Sequence, residues 1–149
     1  MPEDTTATPL PRDLTGAEAA AHTARDFRPG LVRHVVLFRF LDDVDQAARD
    51  ETEQRFRSLA TARRHDGEPY VLSIVAGPQT SPEDTAHPLD LGFLVTFASE
   101  GDRNYYVGRP VVADPEYFCA AHDAFKQFVG PLLADVVVFD LIDPADRIG

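Results

Sequence analysis

Five histidines, four tyrosines and one cysteine are the residues of this 149-residue sequence best suited to proton transfer or nucleophilic chemistry. His122 stands out, because Phe118, Ala121, Phe125, Val129 and Leu132 surround it at helical spacing and place it within an apolar stripe. An imidazole there must satisfy both ring nitrogens, so it is either a hydrogen-bonded core residue or a pocket base. His34 falls among Val32, Val36 and Phe38 on one face of a strand. The two rings can line one cavity if both faces look inward; the alternative for His34 is a bond to a backbone carbonyl. Tyr105 and Tyr106 precede the stretch VGRPVVADPEYF, and Tyr117 lies within it. Their hydroxyls either reach that cavity or cover a loop or rim. Cys119, one turn before His122, reads as a thiol–imidazole partner or as a small core residue, and the second has more precedent. His87, in a polar loop, reads as solvated. No metal-ligand spacing, Gly-rich phosphate loop or nucleophile elbow accompanies these residues, so neither metal nor cofactor is expected.

The wider composition limits the chemistry further. With 25 acidic against 14 basic residues the net charge is −11, which argues against nucleic acid as a partner, since phosphate binding requires clustered Lys and Arg. All the basic residues but Lys126 are Arg, a bias that fits a GC-rich bacterial genome. A lone cysteine excludes an internal disulfide and fits a reducing compartment. No apolar run approaches the length of a membrane span, and the start of the chain lacks the basic and apolar regions of a secretory signal. The expectation is a cytoplasmic protein.

The elements that position these residues follow from periodicity. Residues 1–14 read as a flexible lead, and Thr15-Gly16-Ala17-Glu18 has the form of a capping box before a short helix. LVRHVVLFRFL at 31–41 is a strand apolar on both faces. A helix is expected over 44–64, strands over 70–76 and 89–98, a helix from the Asp114-Pro115 cap to 131, and a last strand over 135–142. The order β-α-β-β-α-β is the ferredoxin-like plan, an α+β fold with helices on one face of the sheet. Because the other face is apolar too, it needs a covering sheet, most economically from a second copy of the chain. The expected division is an N-terminal extension at 1–30, the domain at 31–143 and a polar tail at 144–149.

RHVVLFRF at 33–40, GPQTSPED at 77–84, DLGFLVTF at 90–97, AHDAF at 121–125 and VGPLLADVVVFDL at 129–141 resemble the stress-responsive dimeric α/β-barrel (Dabb) domain. The resemblance implies a homodimer whose sheets face each other, with a pocket in each subunit between sheet and helices. It also implies a range of functions, from plant polyketide cyclases to stress-stable oligomers without settled chemistry. In the cyclases the helix His is the base and the strand His lines the pocket, roles that fall here on His122 and His34. Their catalytic Tyr position is Glu116 here, beside Tyr117, and their third-strand His is Leu91.

The enzyme reading is therefore a cyclase acting on a hydrophobic carbonyl compound. His122 takes a proton, Tyr105, Tyr106 or Tyr117 meets the enolate oxygen, and His34 orients the substrate or His122. Val36, Phe38, Phe93, Tyr117, Phe118 and Phe125 form the substrate walls, and 107–118 is a candidate lid. The alternative is a non-catalytic dimer that binds a hydrophobic small molecule or resists stress. A haem-degrading monooxygenase, a chemistry found on related barrels, ranks third.

Overall fold

The computed structural model describes residues 11–147. Most of the lead expected to be flexible, residues 1–10, and the last two residues of the tail lie outside the described part. The β-branched and aromatic run forms strand β1, Pro29–Phe40, which sits at the centre of the fold. Strands β2 (Ser73–Pro78), β3 (Leu91–Ser99) and β4 (Leu133–Leu141) join it in one antiparallel sheet of order β2-β3-β1-β4. This is a ferredoxin-like α+β fold.

Helix α2, Gln46–Ser58, starts where the Asp45 carboxylate accepts the Ala48 amide at 2.8 Å. It buries Phe56, whose ring stacks on Phe93 with centroids 3.7 Å apart. Phe38 and Phe125 flank that pair and Phe40 meets Phe38, so an aromatic cluster locks the helices onto the sheet. Register places Ile74, Val95, His34 and Asp140 in one row across the helix-covered face. The next row is Ala76, Phe93, Val36 and Val138.

Two helices lie outside the six-element plan. Helix α1, Gly16–Thr23, covers helix α3, Glu100–Val107. The Thr15 side chain makes no capping bond; the Gly16 amide instead donates to Asp114 at 3.4 Å. Leu14, expected in the flexible lead, is buried and bridges to Val112. Helix α3 replaces the expected loop around the two tyrosines: Ser99 Oγ accepts the Asp102 amide at 3.0 Å, and residues 100–106 are buried. Gly108 ends it with φ +62°, a left-handed conformation, and a Cβ there would meet Phe118 Cβ at 3.0 Å.

The expected helix over 114–131 is broken. Pro115–Tyr117 forms a 3-10 turn, Phe118 and Cys119 are extended, and helix α4 proper is Ala120–Val129. The break allows Phe118 to pack under the arm and the Cys119 amide to donate to the Tyr105 carbonyl at 2.9 Å. The other face of the sheet carries the row Val75, Leu94, Val35 and Phe139, with Val75 61% and Phe139 62% exposed in the single chain.

Candidate functional site

A cavity of about 450 Å³ lies between α4 and the inner face of β1 and β4. It exists because β4 is an edge strand: Val136 and Val138 point toward the helix side, yet each is about half exposed. The floor and walls are Val36, Phe38, Phe56, Phe125, Val129 and Leu133. Its polar groups are His34, Arg103, His122, Lys126 and Asp140.

His122 projects from α4 and is 8% exposed. Its Nδ1 donates to the backbone carbonyl of Tyr106 on α3, and its ring stacks on the Tyr106 ring with centroids 3.8 Å apart. A carbonyl only accepts, so the proton sits on Nδ1 and Nε2 is left with a lone pair. No donor among the described residues meets that nitrogen. Burial, then the Lys126 charge, pushes the His122 pKa down; the bond to Tyr106 opposes them, and the net value is about 3. The ring is thus neutral near pH 7, with one basic nitrogen uncommitted.

His34 is held differently, by a carboxylate rather than the backbone carbonyl that its strand position suggests. Its Nδ1 lies 2.6 Å from Asp140 Oδ1, directly across the β1–β4 ladder. Arg103 Nη1 donates to the other oxygen of Asp140 at 2.9 Å, and Arg103 Nη2 lies 3.3 Å from Glu100 Oε1. Arg103 Nε reaches Asn104, whose amide in turn donates to the His22 carbonyl of the arm at 2.8 Å. Burial raises the Asp140 pKa, but the His34 bond and the His34 and Arg103 charges outweigh it and leave the carboxyl below its usual value. The group is an anchored His–Asp–Arg chain with one end in the cavity.

The structure brings His34, Val36, Phe38, His122 and Phe125 together in the cavity wall, and places the other expected site residues elsewhere. Tyr106 is 1% exposed; its ring touches both imidazoles, but its hydroxyl ends in the core without a hydrogen-bond partner. Burial pushes that hydroxyl's pKa well up. Tyr105 turns the opposite way, its hydroxyl accepting the His65 amide at 3.1 Å and its ring lying under Arg64. Helical geometry explains the split, since neighbours on a helix cannot share a face. Phe93 is sealed beneath Phe56, while Phe118 and Tyr117 pack with Leu14, Val111 and Val112 under the arm. The candidate lid at 107–118 is part of that second cluster and does not border the cavity, except through Val107. Cys119 is buried in the main core. Among the described residues no group of His, Cys, Asp and Glu is arranged to hold a metal ion, and no helix is long and apolar enough to cross a membrane.

Arg103, Lys126 and Asp140 escaped the sequence reading. Asp140 carried one signal, a charge at an inward position of an apolar strand, but its meaning depended on the register with His34. The Ser99-x-x-Asp102 pattern before Arg103 is a capping signal that marks α3. For Lys126, spacing alone placed it one turn beyond His122.

Several known proteins resemble this chain. A protein of the fusaristatin A biosynthesis cluster of Gibberella zeae is 34% identical over 91 residues. That match covers 57% of each protein, so the chain spans little more than half the length of this curated relative. Among solved structures, hydroxynitrile lyase from Passiflora edulis superposes with a TM-score of 0.60 at 21% identity, over 77% of this chain and 94% of that one. A dimeric ferredoxin-like protein of unknown function from Thermobifida fusca gives 0.58 at 20% identity, over 78% and 94%. At these identities the structural likeness carries the fold alone. The model of the stress responsive A/B barrel domain, Dabb, matches residues 32–143, and the chain belongs to that family.

Proposed function

We propose that this protein is an enzyme acting on a hydrophobic carbonyl compound, with neutral His122 as general base. The observation that carries the reading is the His122 ring itself: Nδ1 pinned to the Tyr106 carbonyl, Nε2 uncommitted, the whole set in an apolar cavity. A neutral imidazole in such a place takes a proton α to a carbonyl only as negative charge develops beside it, since the enolate favours the protonated ring that the empty cavity disfavours. The C–H bond breaks, its proton goes to Nε2, and the electron pair moves onto the carbonyl oxygen as an enolate. No tyrosine hydroxyl is at hand to meet that oxygen. His34, held at Nδ1 by Asp140, presents Nε2 and takes the positioning role.

A polyketide cyclase-like ring closure is one outcome of such an enolate. The biosynthesis-cluster relative supports an assignment to secondary metabolism. The functional unit in this reading is a homodimer, its two apolar sheet faces packed together; the dimeric description of the Thermobifida fusca neighbour supports it.

The test does not require the natural substrate. Proton NMR in D₂O reads α-proton exchange of a hydrophobic β-diketone. Protein should accelerate exchange, and His122→Gln should reduce the acceleration by at least about 100-fold, the usual worth of a positioned base. An unchanged rate in the variant removes His122 as base. A second reading, a binding protein without catalysis, is favoured by the tyrosine hydroxyls, all of which lie outside the cavity lining. It predicts ligand binding with no exchange at all.

A further inference from the structure

Lys126 is the only lysine in the sequence, and it sits in the cavity wall one helical turn beyond His122. Its Nζ donates to the carbonyls of Val107 at 2.8 Å and Arg109 at 3.0 Å. An ammonium has three donors, so one remains. The charges around the cavity are unevenly answered. Asp140 is taken by His34 and Arg103, and Arg103 also leans on Glu100. No carboxylate stands within ion-pair distance of Lys126 among the described residues, and Asp123 acts on it only at longer range. Arg109 adds a second cation nearby. In a chain of net charge −11, a partly buried cation without a carboxylate partner, at the edge of an apolar cavity, is a gap in the pairing that an anionic ligand fills.

We propose that the cavity takes an amphipathic carboxylic acid, its carboxylate paired with Lys126 and its carbon body laid along Val36, Phe38, Phe125, Val136 and Val138. The inference rests on the reading of this cavity as the ligand site, and it names the class of ligand. A monoanion is favoured over a phosphate ester, because the chain's net charge of −11 opposes each added negative charge while Lys126 has one free donor to offer. Residues four apart on a helix are neighbours on one face. A carboxylate at Lys126 therefore brings the adjoining carbons toward His122, and in a β-keto acid the keto group next to the α-carbon takes the electron pair when the α-proton leaves.

Isothermal titration of the full chain with decanoate, 1-decanol and decyl phosphate separates charge from carbon body. Decanoate should bind about tenfold or more tighter than decanol, the worth of one charge-assisted hydrogen bond. Lys126→Met keeps the aliphatic stem, so it should bring decanoate down to the affinity of decanol while leaving decanol unchanged. If Lys126 merely braces the Val107 and Arg109 carbonyls, the variant weakens both ligands alike, and the proposal falls. Should Lys126→Met fail to fold by circular dichroism, wild-type protein labelled with ¹⁵Nζ-lysine gives one side-chain resonance that decanoate should shift and decanol should not. Equal binding of decanoate and decanol, tighter binding of decyl phosphate, or no binding of decanoate would each overturn it. None of those results bears on α-proton exchange, so loss of the base reading and loss of the carboxylate site are told apart.

Discussion

At the scale of single residues, His122 and Asp140 have opposite electrostatic histories that make different predictions. His122 is neutral because burial and Lys126 outweigh its bond to Tyr106, with a folded pKa of about 3 against the ordinary imidazole value of 6.5. Between those values the unfolded chain binds a proton that the folded chain refuses, so stability falls as pH drops from about 6.5 toward about 3 and is flat above. The loss is on the order of 1 kcal/mol per pH unit within that window. Urea midpoints from pH 7 to pH 4 check this, and His122→Gln should remove that part of the slope. Asp140→Asn keeps the shape but deprives His34 and Arg103 of their shared charge. It should cost about 1–3 kcal/mol in chemical denaturation, the usual penalty for breaking a charge-assisted bond in a partly buried site. Of these residues, the helical stripe around His122 made it visible in the sequence. The inward charge of Asp140 was visible but its partner was not, because only the long-range pairing of β4 with β1 sets it opposite His34.

At the scale of elements, α3 connects the arm to the site. It contributes Arg103 and the Tyr106 carbonyl to the cavity and is clamped from behind by Arg64 to Asp102 at 2.6 Å. Its first turn runs against the end of the arm, where the Glu100 and Gly101 amides donate to the Arg28 and Phe27 carbonyls, each at 3.1 Å. A Cβ on Gly101 would lie 1.7 Å from the Ala24 oxygen, so this contact admits only glycine. Gly101→Ala should lower stability by about 1–3 kcal/mol as the arm and α3 separate. Hydrogen exchange should show the loss of protection concentrated in residues 16–28 and 100–107. Strands β1, β3 and β4 and helix α2 could be read from the sequence to within a few residues because their apolar runs are long, whereas the second strand, expected over 70–76, forms at Ser73–Pro78. Helix α3 has eight residues, buried on nearly all sides, so it lacks the one-sided stripe that marks a surface helix. The break before α4 was hidden for a related reason: Phe118 fits the helical period but spends its side chain on the arm cluster.

At the scale of the whole molecule, the sheet has a helix-covered face that holds the cavity and a bare face that is apolar in four strands. Val75, Leu94, Val35 and Phe139 line up across it, followed by Leu37 and Val137. A monomer would leave that surface in water, and a second sheet removes it at about 25 cal/mol for each Å² covered. Phe139→Glu combined with Val75→Glu should convert the proposed dimer to monomer in sedimentation equilibrium and leave the helix-side core intact by near-UV dichroism. The second face was legible from strand composition alone, since a solvated face alternates to polar residues and this one does not.

The state of the His122 ring decides whether the cavity holds a base. Nitrogen-15 NMR of protein labelled at histidine reads the protonation of each ring nitrogen directly. From pH 5 to pH 8 one imidazole should stay neutral, protonated at Nδ1, with an Nε2 signal that moves when decanoate or a β-diketone enters the cavity. A His122 that carries its proton on Nε2, or that becomes doubly protonated above pH 5, would contradict it and leave the cavity without its base.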